Sequence, residues 1–407
     1  MTFSNSTYLK LKNGLKKNYQ LRLTQQLKNL SSENLAIARW LKKNGDELKT
    51  FSSVKWNLLH QIDEFIFLHN KSKNLNDESF GALEEEIFER WNQSEFAGDF
   101  LKALNLGNKI RKASEKTSKI LDRHLVNFAQ RHILHQKNVT HFYKIQTSLG
   151  EITKNGKISD LVPNIIQIDD KNITVFSRSQ KEGKIFCERI SKALKIIMVS
   201  SPDSWERFKA FTEVIVPIRE SHFVSYSHQD LPGYSMINLY HRDFVDLMDD
   251  LLHENGHHHL NYYLNLSHLI EEPIESIYYS PWRRTLRPLR GIYHAYFTFF
   301  WAFKLFSDLL KSQEADSIFN SYEKEKMIWR AVEEYYMLSF TFEDLKWAKN
   351  NGLIHKKGWE LVAEQKILID QKKNDIKKLE KKLNFYKDDL NNLKSALRKA
   401  KIDFKKC

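Results

Sequence analysis

The sequence predicts a mainly α protein with a small β-sheet, an α+β fold, and three observations lead to this class. Apolar residues in the N-terminal third recur at spacings of three and four, which is typical of amphipathic helices. Short β-branched and aromatic runs, which favour strands, are concentrated between positions 139 and 240. A heptad repeat follows position 364. We therefore divide the chain into a helical region at 1–135, a central domain at 136–345 and a basic C-terminal coiled coil at 346–407.

The N-terminal region is expected to be helical throughout. Leu58, Ile62 and Phe65, in the segment from Ser53 to Leu68, share one face of a helix because a helix turns once every 3.6 residues. A similar pattern extends from Leu101 to Leu134. Both patterns indicate helices with one buried face.

The central domain combines strands with helices. β-branched and aromatic segments predict strands at 139–147, 164–169, 173–176, 212–217, 222–227 and 234–240. Helices are predicted at 188–199, 201–213, 242–264, 289–310 and 314–340. We expect the last three strands to form a small sheet immediately before the helix at 242–264.

The C-terminal segment has a strong coiled-coil pattern. Its seam positions are Ile369, Lys372, Ile376, Leu379, Leu383, Tyr386, Leu390, Leu393, Leu397, Ala400 and Phe404. Such a helix pairs either with a second subunit, giving a homodimer, or with an N-terminal helix of the same chain, and the sequence does not decide between them. The segment 364–407 has 14 Lys or Arg against 7 Asp or Glu. We interpret this charge as a solvated helix face and do not expect nucleic acid as a partner.

The composition indicates an ordered globular protein and excludes several classes. At 407 residues, 41% of them hydrophobic, the chain can bury a large core. The two cysteines, Cys187 and Cys407, have no ligand-like spacing, which argues against a disulfide scaffold and a cysteine metal site. No signal-peptide pattern is present, and no apolar run approaches the ~20 residues that span a bilayer. We therefore expect a cytoplasmic protein without a membrane partner.

The clearest chemical signal is the sequence His253-Glu254-Asn255-Gly256-His257 within the helix predicted at 242–264. His253 and His257 are one turn apart on one face, so both can bind the same metal ion, with Glu254 beside them. Gly256 costs roughly 1 kcal/mol in a helix interior, so we expect another element to pack closely there. His258 and His259 point to other faces of the helix. They are expected to support the ligands or lie at the surface.

Two sets of residues are candidates for the third ligand, and they imply different chemistry. One set is Glu271, Glu272 and Glu275, the last of which approximates the spacing found in zinc peptidases. Zinc held by two histidines and a glutamate would activate a water, with Glu254 as the general base. The other candidate is His294. Three protein ligands that leave adjacent positions free suit Fe(II), 2-oxoglutarate and dioxygen.

An aromatic and arginine-rich block between the two candidate sets favours His294. It extends from Tyr278 to Leu289 with the sequence YYSPWRRTLRPL. A peptidase does not need this combination, whereas a site for a dicarboxylate needs a guanidinium group that forms a two-pronged ion pair.

Taken together, these blocks resemble the HExxH-motif peptide-modification proteins, a bacterial family associated with ribosomally made, modified peptides. The resemblance rests on the motif helix, the block from Tyr278 to Leu289, and the segment Gly291–Phe299, which follows the family pattern G-x-x-H-x-x-Y-x-F except that Phe297 stands in place of the tyrosine. It covers about Asp250 to Phe306. Asn255-Gly256 departs from the aromatic-Gln pair that is usual in the family.

The resemblance implies an Fe(II)- and 2-oxoglutarate-dependent oxygenase that hydroxylates a β-carbon in a peptide. His253, His257 and His294 would hold the metal, and Arg283 or Arg287 would bind a carboxylate of 2-oxoglutarate. Glu254 would orient the site or handle protons. The central domain at 136–345 would then be the metal-binding catalytic domain, with a zincin-like metal helix after a strand-rich segment. We expect the peptide to add to the strand at 234–240 as a sheet edge.

Overall fold

The structure is a computed structural model of the chain. It describes residues 3–30, 35–72, 122, 123, 125, 126, 129, 130, 143–145, 152, 153, 165–168, 171–174, 180–218, 224–227, 229, 231–238, 242–271, 273, 275–312 and 317–404. Most of the helix predicted at 101–134 lies outside these residues. None of the helices described here has the length and apolar character needed to cross a bilayer.

The described N-terminal helices are α1 (Asn5–Leu30), α2 (Ala36–Asn44) and α3 (Ser53–Ser72). Leu58, Ile62 and Phe65 on α3 are buried, as their spacing predicted. On α1, the buried residues Leu15, Tyr19 and Leu23 recur every four positions and form one inward face.

The described strands before residue 240 are β1 (Tyr143–Ile145), β2 (Ile152–Thr153), β3 (Ile165–Ile168), β4 (Lys171–Thr174), β5 (Val214–Ile218), β6 (Tyr226–Ser227) and β7 (Tyr234–Asn238). β3 and β4 form a separate hairpin, and the others form one sheet in the order β2-β1-β5-β7-β6. β5 and β7 are parallel, and the other neighbours are antiparallel. The expected sheet is therefore present before residue 242. The prediction that 234–240 is an edge strand is wrong, because β7 has a partner on each side.

The other described elements between residues 180 and 350 are the helices α4 (Gln180–Ser200), α5 (Pro202–Phe211), α6 (Phe244–Leu266), α7 (Leu289–Leu309) and α8 (Ser321–Asn350), and the hairpin of β8 (Tyr278–Ser280) and β9 (Thr285–Arg287). α6 lies at the centre and contacts α1, α4, α5, α7 and β7. α7 packs between α6 and α8, and its large side chains, including Tyr293, Phe297 and Trp301, are buried. The motif helix is thus enclosed by other elements over most of its surface.

The C-terminal segment forms three helices, α9 (Lys356–Gln371), α10 (Lys373–Glu380) and α11 (Lys387–Phe404). Five of the six seam residues that are spaced by seven are buried, namely Ile369, Ile376, Leu383, Leu390 and Leu397, whereas the sixth, Phe404, is exposed. The heptads therefore identified the correct buried face. However, the helix is interrupted after Gln371 and after Glu380, and this face packs mainly against α7 and α8 of the same chain. A coiled coil with a second subunit remains a prediction.

Candidate metal centre

Helix α6 carries the two motif histidines on one face. It begins at Asp243, whose side chain accepts a hydrogen bond from the backbone N–H of Asp246 at 2.9 Å, a typical N-cap. The Nε2 atoms of His253 and His257 lie 3.2 Å apart. Two nitrogens that bind one ion at about 2.1 Å are about 3.0 Å apart at a right angle and about 3.4 Å apart at a tetrahedral angle. The pair therefore has the spacing of two ligands of one cation.

His294 on α7 lies near this pair. Its ring centroid is 6.0 Å from that of His257, and its Nε2 is buried with no hydrogen-bond partner among the described residues. Rings that share an ion through bonds of about 2.1 Å have centroids about 5.3 Å apart at a tetrahedral angle and at most about 6.5 Å apart. His294 is thus close to the pair, but the three rings do not bring one nitrogen each to within 4.8 Å of the others, so a shared ion requires the His294 ring to move closer.

Two glycines allow the parts of this centre to come close together. Gly256 faces α7, which confirms the close packing expected from a glycine in the middle of α6. At the start of α7, a Cβ on Gly291 would lie 3.2 Å from Nε of Arg287. The Arg287 side chain therefore lies against the first turn of the helix that carries His294.

Burial keeps the three histidines neutral. Burial first, and then the positive charges of Arg330, Arg283 and Arg242, lower the pKa of His253 to about 3. The pKa values of His257 and His294 are also far below the ordinary value, again mainly because of burial. Only a neutral imidazole binds a metal, so these rings are in the ligand form at neutral pH.

An ion-pair network on α8 supports the motif helix. The guanidinium of Arg330 donates hydrogen bonds to Asp249 on α6 at 2.9 Å and to Glu334 at 3.0 Å, and it also pairs with Glu333. Arg330 and its three carboxylates are largely withdrawn from solvent. Because these charges are paired, the network can fix α6 against α8.

Two aromatic side chains, Trp282 and Phe299, connect this ion-pair network to the His253 ring. Glu334 accepts a hydrogen bond from Nε1 of Trp282 at 2.8 Å. The Trp282 ring stacks on Phe299 with centroids 4.8 Å apart, and Phe299 contacts the His253 ring at 4.2 Å. Trp282 therefore fixes the β8–β9 hairpin, which carries the candidate arginines, next to the histidines.

The three histidines and Glu254 line one cavity of about 860 Å³. Arg283 and Arg287 also line it, and both are exposed. Neither has an ion-pair partner among the residues that the structure describes. The cavity thus combines imidazoles with guanidinium groups that are available to an anion.

Three other basic side chains of the cavity form ion pairs, and a fourth, Arg290, donates a hydrogen bond to Gln229 at 2.9 Å. Arg242 lies 3.2 Å from Asp250, and Lys326 lies 2.7 Å from Asp246. Arg330 is held by the three carboxylates described above. These pairs make Arg283 and Arg287 the better candidates for binding a carboxylate.

The motif glutamate Glu254 and the glutamates predicted as third ligands occupy different places. Glu254 is only 2% exposed and lines the cavity. Glu271 and Glu275 do not line it. Glu271 instead contacts His268 and His355, and Glu275 is exposed. Glu272 lies outside the described residues. Of the candidates the structure describes, it therefore brings His294, and not a glutamate, to the cavity of the motif histidines.

His258 and His259 are both buried, so the expectation of a surface position is wrong. Nδ1 of His258 accepts a hydrogen bond from the Gly233 N–H at 3.2 Å, and its Nε2 lies 3.1 Å from the Ser235 hydroxyl. The His259 ring stacks on Phe211 with centroids 4.5 Å apart. Both histidines therefore attach α6 to neighbouring elements and do not face the metal pair.

Sequence reasoning missed the part of the cavity wall that comes from α8 and the C-terminal segment. Trp329, Arg330 and Glu333 on α8 line the cavity, as does Tyr386 just before α11. The spacing of Arg330, Glu333 and Glu334 indicates ion pairs on one helix face. It does not indicate which other helix that face contacts.

Comparison with known proteins does not add a family. No protein-family model matches the chain, and no curated protein matches it either. A functional interpretation therefore depends on the geometry of the residues described above and on the short motifs of the sequence.

Proposed function

We propose that the protein is an Fe(II)- and 2-oxoglutarate-dependent oxygenase that hydroxylates a β-carbon in a peptide substrate. One observation carries this proposal: His253, His257 and His294 share a cavity with Arg283 and Arg287. Three neutral donors suit a ferrous ion that keeps adjacent positions free for other ligands. The nearby guanidinium groups suit the carboxylates of 2-oxoglutarate.

The types of donor suit a metal ion in this cavity, which the motif pair can bind as it stands and His294 can join if its ring moves closer. The Nε2 atoms of the motif pair have ligand spacing, and the Nε2 of His294 is buried with no partner among the described residues. A buried polar atom without a partner is costly, so binding of a cation would remove that cost. Bound iron with 2-oxoglutarate would supply the oxidation, which consumes dioxygen and yields succinate, carbon dioxide and the hydroxylated substrate.

Other side chains of the protein bind the co-substrate, orient the site or hold a proton, and exclude water. Arg283 or Arg287 fixes the distal carboxylate of 2-oxoglutarate by a two-pronged ion pair. Glu254, buried beside His253, orients the site or holds a proton. The stacked rings of Trp282 and Phe299 keep water from one side of the His253 ring.

Contrary to the expectation from the sequence, the peptide cannot add to β7, because β7 is paired on both sides, and β6 offers an edge instead. β6 is the terminal strand on this side of the sheet, and no described strand pairs with its other edge. Val224 and Ser225, just before β6, line the cavity. We propose that the peptide adds to this edge, as in a zincin-like arrangement, so that a β-carbon reaches the metal.

A zinc hydrolase is the second candidate, and the position of Glu254 in the cavity favours it. A glutamate beside two metal-binding histidines is the arrangement of a general base for peptide hydrolysis. Because Glu271 and Glu275 are outside the cavity, this reading also requires His294 as the third ligand, unless Glu272 supplies it.

The identity of the active metal separates the two candidates. Protein purified without oxygen is loaded with either Fe(II) or Zn²⁺, then given dioxygen and 2-oxoglutarate, and succinate is measured. We expect succinate only with Fe(II), including slow release without a peptide. If the Fe(II) form never consumes 2-oxoglutarate while the Zn²⁺ form cleaves peptides, the oxygenase proposal is wrong.

A further inference from the structure

A second cluster of metal-ligand side chains lies outside the cavity. Oε1 of Glu271 is 2.8 Å from Nε2 of His355 and 3.3 Å from Nε2 of His268. The three donor atoms lie within 4.8 Å of one another, and no other such group occurs among the described residues. None of the three side chains lines the cavity of the motif histidines. The cluster is therefore a separate site.

The backbone holds this cluster in place from two distant parts of the chain. His268 and Glu271 follow α6, whereas His355 precedes α9. Ile270 and Ile354 form an antiparallel bridge between the two segments. On either side of it, the Glu271 N–H donates to the Leu353 carbonyl and the His355 N–H donates to the Leu269 carbonyl, both at 2.9 Å. The ligand positions are thus set by main-chain hydrogen bonds and do not depend on flexible side chains alone.

A glycine keeps these two segments in contact. A Cβ on Gly358, in the first turn of α9, would clash with the carbonyl oxygen of Leu269. The start of α9 therefore lies directly on the backbone that carries His268 and Glu271. His355 lies just before the start of α9, so this close contact holds the backbone of all three candidate ligands together.

We propose that His268, Glu271 and His355 bind a divalent transition-metal ion, of which Zn²⁺ is the best fit. Two imidazoles and a carboxylate are a common zinc donor set, and donor atoms on one ion are about 3.0 to 3.4 Å apart. All three side chains are at least 39% exposed, so water can complete the coordination. The ion joins the end of the motif helix to the loop before α9. This site does not depend on the proposed oxygenase activity.

The test measures Zn²⁺ binding by titration calorimetry on the full chain with His253→Ala and His257→Ala, which removes the first centre. We expect one Zn²⁺ to bind and to raise the thermal unfolding temperature. Adding His355→Ala or Glu271→Gln should weaken this binding at least about tenfold, the least that loss of a supporting group costs a metal site. Glu360→Gln is the matched control, since Glu360 is an exposed glutamate on α9 that pairs with Lys357. It should leave binding unchanged.

A second measurement covers the case in which the double variant, which carries His253→Ala and His257→Ala, does not fold. In the unaltered protein, metal analysis after Zn²⁺ loading should give one equivalent more than in the single variant His355→Ala. The proposal is overturned if the double variant is folded and binds no Zn²⁺. Equal metal content in the unaltered protein and His355→Ala also overturns it. Either result would mean that His268, Glu271 and His355 are joined by hydrogen bonds alone and bind no metal ion.

Discussion

Gly256 on α6 lies directly against Thr298 on α7: a Cβ on Gly256 would be 3.2 Å from the Thr298 Cα and 3.2 Å from the Trp301 ring. The contact is with backbone, which cannot move without moving the helix. This close approach brings the His257 and His294 rings to 6.0 Å from each other. The motif glycine therefore controls the geometry of the candidate metal centre.

Gly256→Ala should destabilise the protein and weaken metal binding. Replacing glycine by alanine in a helix gains up to about 1 kcal/mol, whereas overpacking a tight contact costs about 1 to 3 kcal/mol. The net loss in the free energy of unfolding should be on the order of 1 kcal/mol, measured by urea denaturation. Gly45→Ala is the control, because Gly45 has a φ of −58° and a Cβ there would meet nothing within 4 Å. A loss of stability in the control but not in Gly256→Ala would contradict this account.

His294→Ala should weaken metal binding at the first centre, whereas Glu275→Ala should not. His294 lines the cavity with the motif pair, and Glu275 does not. Loss of a ligand should lower the affinity at least about tenfold. The titration is performed in protein that also carries His355→Ala, so that the second cluster does not contribute. Strong loss in Glu275→Ala with unchanged binding in His294→Ala would restore the glutamate as third ligand.

Arg283→Gln and Arg287→Gln should test the carboxylate clamp. A hydrogen-bonded contact to a charged group contributes about 1.5 to 3 kcal/mol, so the variant of the true clamp should have a KM for 2-oxoglutarate that is roughly tenfold to a hundredfold higher. Arg284→Gln is a close control, because Arg284 is also exposed on the hairpin but does not line the cavity. The clamp assignment is wrong if all three variants keep the KM of the unaltered protein.

The sequence predicted the motif pair and its helix, because a spacing of four residues determines which side chains share a helix face. It also predicted the buried face of the C-terminal segment, since Ile369, Ile376 and Leu383 repeat every seven residues. It did not predict that this face packs on α8, because a heptad specifies a face and not its partner.

Long-range contacts were likewise outside the reach of local patterns. Arg330 and Asp249 are 81 residues apart in the chain, yet they form a direct ion pair. Glu271 was considered as a ligand for the motif pair, but the bridge between Ile270 and Ile354 places it beside His355 instead. Such contacts depend on how helices pack, which no single segment specifies.

Asp250→Asn should change how stability depends on pH. Asp250 lies on α6, where its carboxylate accepts a hydrogen bond from the Ser225 hydroxyl at 2.7 Å and pairs with Arg242. Burial nevertheless raises the pKa of Asp250 from 3.8 to about 7. Between these two values the folded state holds a proton that the unfolded state has lost.

In this range, each pH unit therefore costs the folded protein up to about 1.4 kcal/mol relative to a variant without the carboxyl group. The free energy of unfolding of the unaltered protein minus that of Asp250→Asn should fall from pH 5 to pH 7 and then become constant. Denaturant titrations at each pH measure this difference, and histidines common to both proteins cancel from it. Asp389→Asn, an exposed position on α11, reports the effect of removing a solvated charge. Parallel stability profiles for Asp250→Asn and the unaltered protein would mean that the Arg242 pair keeps Asp250 ionised throughout.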